Sequence, residues 1–486
     1  MKPTSITLPA TELFVDGGWR PGNGAAFAVQ NPTDGTVITE LHAADAGDVD
    51  RAVAAARRAF DSGPWPAMPG AERGRILYRL ADLIEENAGR FAGLEALDVG
   101  KPYHDTLAID VDMAVQTFRH FAGWADKLHG TTVPVPDHMG RPRFSYTERV
   151  PVGVVGAITP WNAPTMITSW KLASALAVGC TVVLKPAEDA PLVSQLLAEL
   201  AAAAGLPAGV LNVVNGPGRV TGTAITGHPG IDKLSFTGSP EVGRIIGRAA
   251  ADRFTPVTLE LGGKSPQIVF KDADVEALAP VAAASLFANS GQTCAAGTRV
   301  LVHRSRVDDV AEALAAQARG QRLGDPFDAR TTMGSLINAA QRDRVLGYVG
   351  AGLEQGADLV TGGTAPDRPG YFVEPTLFVG TNDLRIAREE IFGPVGTIIP
   401  FDDDDEAIRL ANATEYGLAA VIWSRDIGEA MTASRALRAG AVWVNSWGAP
   451  DPRVPWGGMK TSGLGRELGL AGLHANTEER LVNIVY

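Results

Sequence analysis

Cysteine is almost absent from this chain: Cys180 and Cys294 are the only two in 486 residues. Two thiols build no disulfide framework, and such economy fits a reducing compartment, so a cytoplasmic location is expected. The eight histidines are scattered and form no HxH, HExxH or Cys/His cluster, so no metal site is indicated. Basic residues are in deficit, 43 Lys and Arg against 55 Asp and Glu, giving a formal net charge of −12. A surface of that sign repels phosphate backbones, which argues against nucleic acid as a partner. Long apolar runs are missing too. The first residues, MKPTSITLPATELFVDGG, hold no stretch of signal-peptide length, and nowhere do about 18 apolar residues follow one another. No membrane association is therefore expected. The acidic run from Asp402 to Glu406 reads as a solvated loop entering a helix.

What is present is enough for two cores. At 45% hydrophobic the composition is globular, and a single core rarely grows past roughly 250–300 residues. Apolar residues at helical spacing predict helices over 48–60 and 71–99, with Gly63-Pro64-Trp65-Pro66 breaking the chain between them. Short β-rich runs follow at 152–158, 181–184, 210–214, 233–236 and 257–259. Helical segments at 165–178, 191–204 and 241–252 separate them. That alternation predicts right-handed βαβ units and a parallel sheet, which binds ligands at the carboxyl ends of its strands. The second half alternates less regularly, with strands expected at 300–303, 377–379, 395–401, 418–423 and 441–444, and helices at 403–413 and 428–437. The Pro-rich 131–149 segment does not fit a crossover and suggests a surface hairpin or an interface strand.

Four places could carry chemistry. Cys294 sits in Asn289-Ser290-Gly291-Gln292-Thr293-Cys294-Ala295, where small neighbours leave the sulfur uncrowded, whereas Cys180 reads as a small buried residue beside a strand. Glu260 closes an apolar strand and is followed by Leu261, Gly262 and Gly263. There desolvation would raise its pKa and suit it to general-base work, or it pairs with Lys264. Phe236-Thr237-Gly238-Ser239 leads through Pro240 and Glu241 to Val242, a strand-to-helix turn whose helix start favours a phosphate or is simply a tight turn. Thr159-Pro160-Trp161-Asn162 lies at the same rim, and the Asn162 amide is either an oxyanion donor or a helix N-cap.

Together these motifs resemble the aldehyde dehydrogenase superfamily, in particular its hydrolytic NAD(P)-dependent branch. The resemblance runs from Leu13-Phe14-Val15-Asp16-Gly17 to Gly465-Arg466-Glu467-Leu468-Gly469. It adds Leu184-Lys185-Pro186-Ala187-Glu188 and Glu389-Glu390-Ile391-Phe392-Gly393-Pro394 to the motifs above, in the family's order. It implies an α/β fold: a Rossmann-like parallel-sheet cofactor domain (1–128 and 151–261), an α/β catalytic domain (262–462), and a small β oligomerisation arm (129–150 and 475–486). It also implies oxidation of a small-molecule aldehyde to a carboxylate. Cys294 would attack the aldehyde carbon, Asn162 and the Cys294 N–H would hold the oxyanion, and Glu260 would activate water against the thioester. A coenzyme-A-acylating relative has no need of such a base, and a non-catalytic binding protein no need of the three together.

For the cofactor the resemblance implies Lys185 and Glu188 at the adenosine ribose, Ser239 at the pyrophosphate, and Glu390 with Phe392 at the nicotinamide ribose. Thr159, Pro160, Trp161, Phe236, Gly238, Val242, Leu261 and Gly262 would line the rest. A carboxylate at Glu188 competes with a 2′-phosphate, so NAD is favoured, with NADP the alternative because Lys185 offsets some repulsion. Glu467 and Lys171 resemble a proton relay, or are structural ion-pair partners. The 131–149 segment and the tail from Arg480 to Tyr486 resemble the family's arm and its partner strand, implying a homodimer or homotetramer, with the tail pairing to another subunit.

The chain departs from the family around the substrate. Ala163 stands where many relatives carry an aromatic wall, and Ala288 where betaine-aldehyde members carry tryptophan, although Trp170 and Trp456 match aromatic positions of that subfamily. Trp447 lies in an unusual segment, Ser446-Trp447-Gly448-Ala449-Pro450-Asp451-Pro452-Arg453, where Asp451 or Arg453 could read a polar group. Two alanines break the cage a quaternary ammonium needs. A bulky aromatic or branched aldehyde is therefore expected, with betaine-aldehyde-type or polar semialdehyde oxidation as the alternative.

Overall fold

Central parallel strands are buried on both faces and so read as continuous apolar runs rather than alternating ones. Val154–Ile158 (VVGAI) and Thr181–Lys185 (TVVLK) are buried at every position. In the computed structural model, which describes residues 6–448 and 450–486, they sit at the middle of an eight-stranded sheet. Residues 1–5, at the head of the 1–128 span, and Ala449, inside the 446–453 segment, lie outside the described residues.

The spatial order of that first sheet is Gly463–Leu464, Val257–Glu260, Lys233–Thr237, Val154–Ile158, Thr181–Lys185, Leu211–Val213, Leu13–Val15 and Gly18–Arg20. The five strands from Val257–Glu260 to Leu211–Val213 are parallel, and the flanking three are antiparallel. The chain winds outward from Val154–Ile158 in one direction, then returns to lay Lys233–Thr237 on its other side. That reversal is a topological switch point, and it opens a crevice between the carboxyl ends at Ile158 and Thr237. Helix Pro164–Val178 follows the first of these ends, and nearly all of it is buried.

A second sheet of seven strands is built from residues between Pro266 and Val444, parallel except for the edge strand Asp358–Thr361. Its strand Pro266–Val269 escaped the sequence reading because it starts on proline and is only four residues long. Residues 463–464, which fell between the expected spans, rejoin the first sheet beside Glu260. Among the described residues no helix is long and apolar enough to cross a membrane.

Two expectations need correction. The single helix over 71–99 is two, Gly70–Glu86 and Ala88–Asp98. Asn87 ends the first because its amide donates back to the Leu83 carbonyl at 2.8 Å while its backbone leaves helical geometry. The tail does not wait for another subunit: Thr477–Val485 pairs antiparallel with Arg143–Pro151 of its own chain along the full nine residues. The local partner wins because the 131–149 segment folds back with Thr132–Val133 to form a three-stranded sheet.

Candidate active site

Cys294 is delivered by a strained turn. Helix Val275–Phe287 stops, and Asn289 and Ser290 adopt left-handed backbone angles (φ 51° and 57°) that non-glycine residues disfavour. Side chains over-determine the turn: Ser290 Oγ donates to the Gly334 carbonyl at 2.9 Å, and Gln292 Oε1 accepts from the Ile337 N–H at 2.9 Å. The half-buried thiol is pushed up to about 12 by burial, with Glu390 and then Glu260 adding repulsion; the N–H groups of Ala295 and Cys294 oppose this. At neutral pH the sulfur is therefore a thiol.

Asn162 faces it from the first sheet. Its side-chain Nδ2 donates to the Gln292 carbonyl at 2.9 Å, and its main-chain carbonyl accepts from Asn289 Nδ2 at 2.7 Å. The N-cap alternative does not hold: Ala163 occupies that position, and no side chain caps the helix. One amide hydrogen is thus anchored and the second is left for the cavity.

Glu260 lies at the end of its strand, buried, with neither carboxylate oxygen hydrogen-bonded. It does not pair with Lys264, whose Nζ is likewise buried without a partner. Burial pushes the Glu260 carboxyl well above its usual range and Glu467 adds to this, while Lys171 and Arg466 pull the other way. A side chain at Gly457 would come within 2.6 Å of Glu260 Oε1, so only glycine leaves the carboxylate room there. Behind it, Lys171 Nζ bonds Glu467 Oε1 at 2.5 Å and Ser235 Oγ at 3.1 Å, fully enclosed, while Glu467 Oε2 has no partner.

Cys294, Asn162 and Glu260 line one cavity. Pro160, Trp161, Gly238, Ser239, Leu261, Gly262, Glu390 and Phe392 share its wall. Glu390 Oε1 accepts from the Gly263 N–H at 3.0 Å, and burial raises its carboxyl to about 7. A Cβ at Gly262 would stand 2.0 Å from that carboxylate, so the close approach requires glycine. The Phe392 ring meets Trp161 edge-on at 5.3 Å, and its carbonyl accepts from Gln341 Nε2 at 2.7 Å.

Through Pro160, Trp161, Thr237 and Gly238 the cavity continues into a groove over the switch point. Thr159, Lys185, Glu188, Phe236 and Val242 line it. Glu188 sits between Lys185 Nζ at 3.3 Å and the Gly218 N–H at 3.2 Å. Burial works against its ionisation, but Lys185 and the N–H outweigh that, and the carboxyl falls below its ordinary value. Ser239 Oγ caps helix Pro240–Asp252 by accepting from the Val242 N–H at 3.3 Å.

The expected tunnel residues lie elsewhere. Ala163, Trp170 and Trp456 are buried, and Trp456 stacks near Trp170 and Trp443 at 6.2 and 6.0 Å. Trp447 Nε1 donates to the Ala295 carbonyl at 3.3 Å, and Ala288 ends the helix before Cys294. None of the five lines the cavity on the Glu390 side. Sequence reasoning missed Thr237, Ile167, Gln341 and Arg344, which do line it. Thr237 lay within a motif but was given no role, and Gln341 and Arg344 come from a helix with no motif of its own.

With this geometry established, comparison with known proteins is decisive. The aldehyde dehydrogenase family matches residues 19–482. The chain belongs to that family. Similar relatives of this aldehyde dehydrogenase include the mitochondrial benzaldehyde dehydrogenase of Antirrhinum majus, 46% identical over 96% of this chain and 87% of the relative. Among solved structures, the NAD⁺ complex of the Bacillus cereus aldehyde dehydrogenase superposes with a TM-score of 0.96 at 44% identity, covering 98% of this chain and 96% of the other. The Staphylococcus aureus betaine aldehyde dehydrogenase in complex with NAD⁺ gives 0.95 at 39% identity, covering 98% and 95%.

Proposed function

We propose that this aldehyde dehydrogenase oxidises an aldehyde to a carboxylate with NAD⁺, through a thioester on Cys294. One observation carries the reading: Cys294, the free amide hydrogen of Asn162 and the unpartnered carboxylate of Glu260 share one cavity that opens into the groove. The groove fits a dinucleotide. Thr237 Oγ1 is buried with no partner, Val242 and Ile245 offer exposed apolar surface for a base, and Lys185 and Glu188 stand at the far end. Ser239 and the start of the helix it caps would take the pyrophosphate, and Glu390 the nicotinamide ribose. An ionised Glu188 repels a 2′-phosphate, which favours NAD⁺ over NADP⁺.

When bound, NAD⁺ supplies the hydride acceptor. The chain supplies the rest. Cys294 must lose a proton before it attacks, and Glu260, its affinity for protons raised by burial, is placed to take it. The sulfur adds to the aldehyde carbon, and Asn162 and the Cys294 N–H hold the resulting oxyanion. After oxidation leaves a thioester, Glu260, having given its first proton up to solvent, takes a proton from water, whose oxygen attacks the carbonyl carbon; collapse releases the carboxylic acid and returns the thiolate. Lys171 and Glu467 lie behind Glu260 and would relay the proton it takes, for release to solvent.

For the substrate we favour a bulky apolar aldehyde, since Ala163 and Ala288 are small where the resemblance leads one to expect aromatic walls, and a relative is named for benzaldehyde. The Trp170, Trp456 and Trp443 cluster supports a second reading, a quaternary-ammonium aldehyde. NADH formation with NAD⁺ and an aldehyde panel, with and without coenzyme A, tests the function. A strict requirement for coenzyme A, or no turnover of any aldehyde, overturns it. We further propose that the first sheet carries the cofactor domain and the second the catalytic domain, and that the protein acts in the cytoplasm. A homodimer or homotetramer is supported by the outer edge of Thr477–Val485, where Leu481, Ile484 and Tyr486 are exposed; analytical ultracentrifugation tests it, and a monomer sinks it.

A further inference from the structure

Asn289 holds left-handed backbone angles (φ 51°, ψ 37°) between helix Val275–Phe287 and Cys294. Asparagine tolerates that region better than most residues, and glycine adopts it at no steric cost. A turn that needed only its backbone would be served by glycine, as it is two residues on at Gly291 (φ 71°). The Asn289 side chain has a task of its own. Its Nδ2 donates to the Asn162 main-chain carbonyl at 2.7 Å and to the Gln292 carbonyl at 3.3 Å. The Asn289 main-chain carbonyl in turn accepts from the Gln292 N–H at 3.0 Å and from Gln292 Nε2 at 3.2 Å.

These bonds cross from one sheet to the other. Asn162 follows strand Val154–Ile158 of the first sheet, whereas Asn289 and Gln292 lie between strands Pro266–Val269 and Arg299–His303 of the second. Topology alone thus leaves the oxyanion donor and the nucleophile on separate frameworks. Amide groups close the gap: Asn289 Nδ2 holds the Asn162 main chain, and Asn162 Nδ2 meets Asn289 Nδ2 at the Gln292 carbonyl, two residues before Cys294. Asn162 is therefore tied at both its backbone and its side chain. Both hydrogens of the Asn289 amide are engaged by main-chain carbonyls, and the residue does not line the cavity. It can place other groups there but offers none of its own.

We propose that Asn289 is a positioning residue that clamps the oxyanion donor Asn162 to the turn carrying Cys294, and that it acts on the rate only through Asn162. This rests on the thioester mechanism above. An oxyanion donor contributes only when it is held at the position where the charge develops. Without the Asn289 amide the Asn162 main chain loses its tie to the nucleophile turn. The turn itself keeps the Ser290 bond to the Gly334 carbonyl and the Gln292 bond from the Ile337 N–H, both 2.9 Å. The sulfur therefore stays in place while the donor drifts from it.

The test is a double-mutant cycle of Asn289→Gly and Asn162→Ala. It is read as NADH formation in single turnover, with saturating NAD⁺ and whichever aldehyde the wild type turns over fastest. Glycine keeps the left-handed turn and removes only the amide. Asn289→Gly should slow the wild type by about ten- to hundredfold, part of the roughly hundred- to thousandfold that one oxyanion donor is worth. It should slow Asn162→Ala by less than about twofold. Iodoacetamide alkylation of Cys294 and the affinity for NAD⁺ should both stay within about twofold of wild type, which a collapsed or displaced turn would not allow. Asn289→Asp turns a carboxylate towards two carbonyls, should lose at least as much, and takes glycine's place in the cycle if the glycine variant does not fold. A smaller loss in the wild type, or an equal loss in both backgrounds, overturns the proposal alone. An Asn162→Ala enzyme as fast as wild type overturns the oxyanion role of Asn162 and this proposal with it.

Discussion

The two sides of Cys294 are built differently. On the cofactor side the walls are strand ends and turns: Glu260 closes a strand, Glu390 is fixed by the Gly263 N–H, and Phe392 holds φ 59° against Gln341. On the other side Cys294 packs against an apolar core of side chains that includes Ala163, Trp170 and Trp456. Backbone placement is set by topology and resists single substitutions, whereas side-chain volume changes with one residue. The proposed function puts chemistry on the first wall and substrate choice on the second.

The sharpest way to break that division is at the sulfur itself. Cys294→Ala should lower turnover by at least about a thousandfold while NAD⁺ binding, measured by titration calorimetry, stays near wild type. Cys180 is the control: fully buried, its thiol pushed up to about 11 by burial, it donates to the Asn476 carbonyl at 3.3 Å. Cys180→Ala should cost stability rather than chemistry. Equal activity in both variants would end the covalent mechanism.

Next in size is Glu260→Gln. If the carboxylate serves water activation above all, steady-state turnover should fall by about a hundredfold or more, with a burst of NADH preceding the slow phase. Rapid-quench and stopped-flow measurements separate the two steps. Unchanged steady-state hydrolysis removes Glu260 from the role of base.

How much of this was legible follows the same division. The first sheet could be read because both faces of its strands are covered, making runs such as TVVLK unmistakable. The rim residues could be read because they follow strand ends directly, as Asn162 and Glu260 do. The turn at Asn289 and Ser290 could not, since left-handed geometry at non-glycine residues leaves no compositional trace and depends on Gly334 and Ile337 far along the chain. Arg344 was equally hidden: its side chain donates to the Glu390 carbonyl at 2.8 Å from helix Ala339–Glu354, which the sequence reading did not single out. The tail pairing was misread because a hydrophobic terminal strand declares that it needs an edge, not whose edge it takes.

On the substrate side a smaller effect is expected. Ala163→Phe should penalise benzaldehyde- or citral-sized substrates relative to acetaldehyde by about tenfold in kcat/KM, each methylene being worth roughly 1–3 kcal/mol in such discrimination. A ratio that does not move transfers the control of width to other residues.

The smallest effect probes whether the cofactor-side wall also governs the resting thiol. With its pKa near 12, the Cys294 thiol is protonated throughout the neutral range, so its alkylation by iodoacetamide should rise about tenfold per pH unit. Burial is the largest cause and cannot be removed cleanly, but Glu390, the first of the repelling carboxylates, can be neutralised. Its own carboxyl is raised to about 7, so it carries little charge near pH 6 and full charge near pH 9. Glu390→Gln removes a repulsion that exists only in the upper range. Alkylation of the variant should therefore match wild type near pH 6 and exceed it by about three- to tenfold near pH 9. An equal gain at both pH values would mean that the substitution opened access rather than changed charge. A slower variant near pH 9 would show that the cofactor-side carboxylate does not set the thiol, leaving burial and Glu260 to do so.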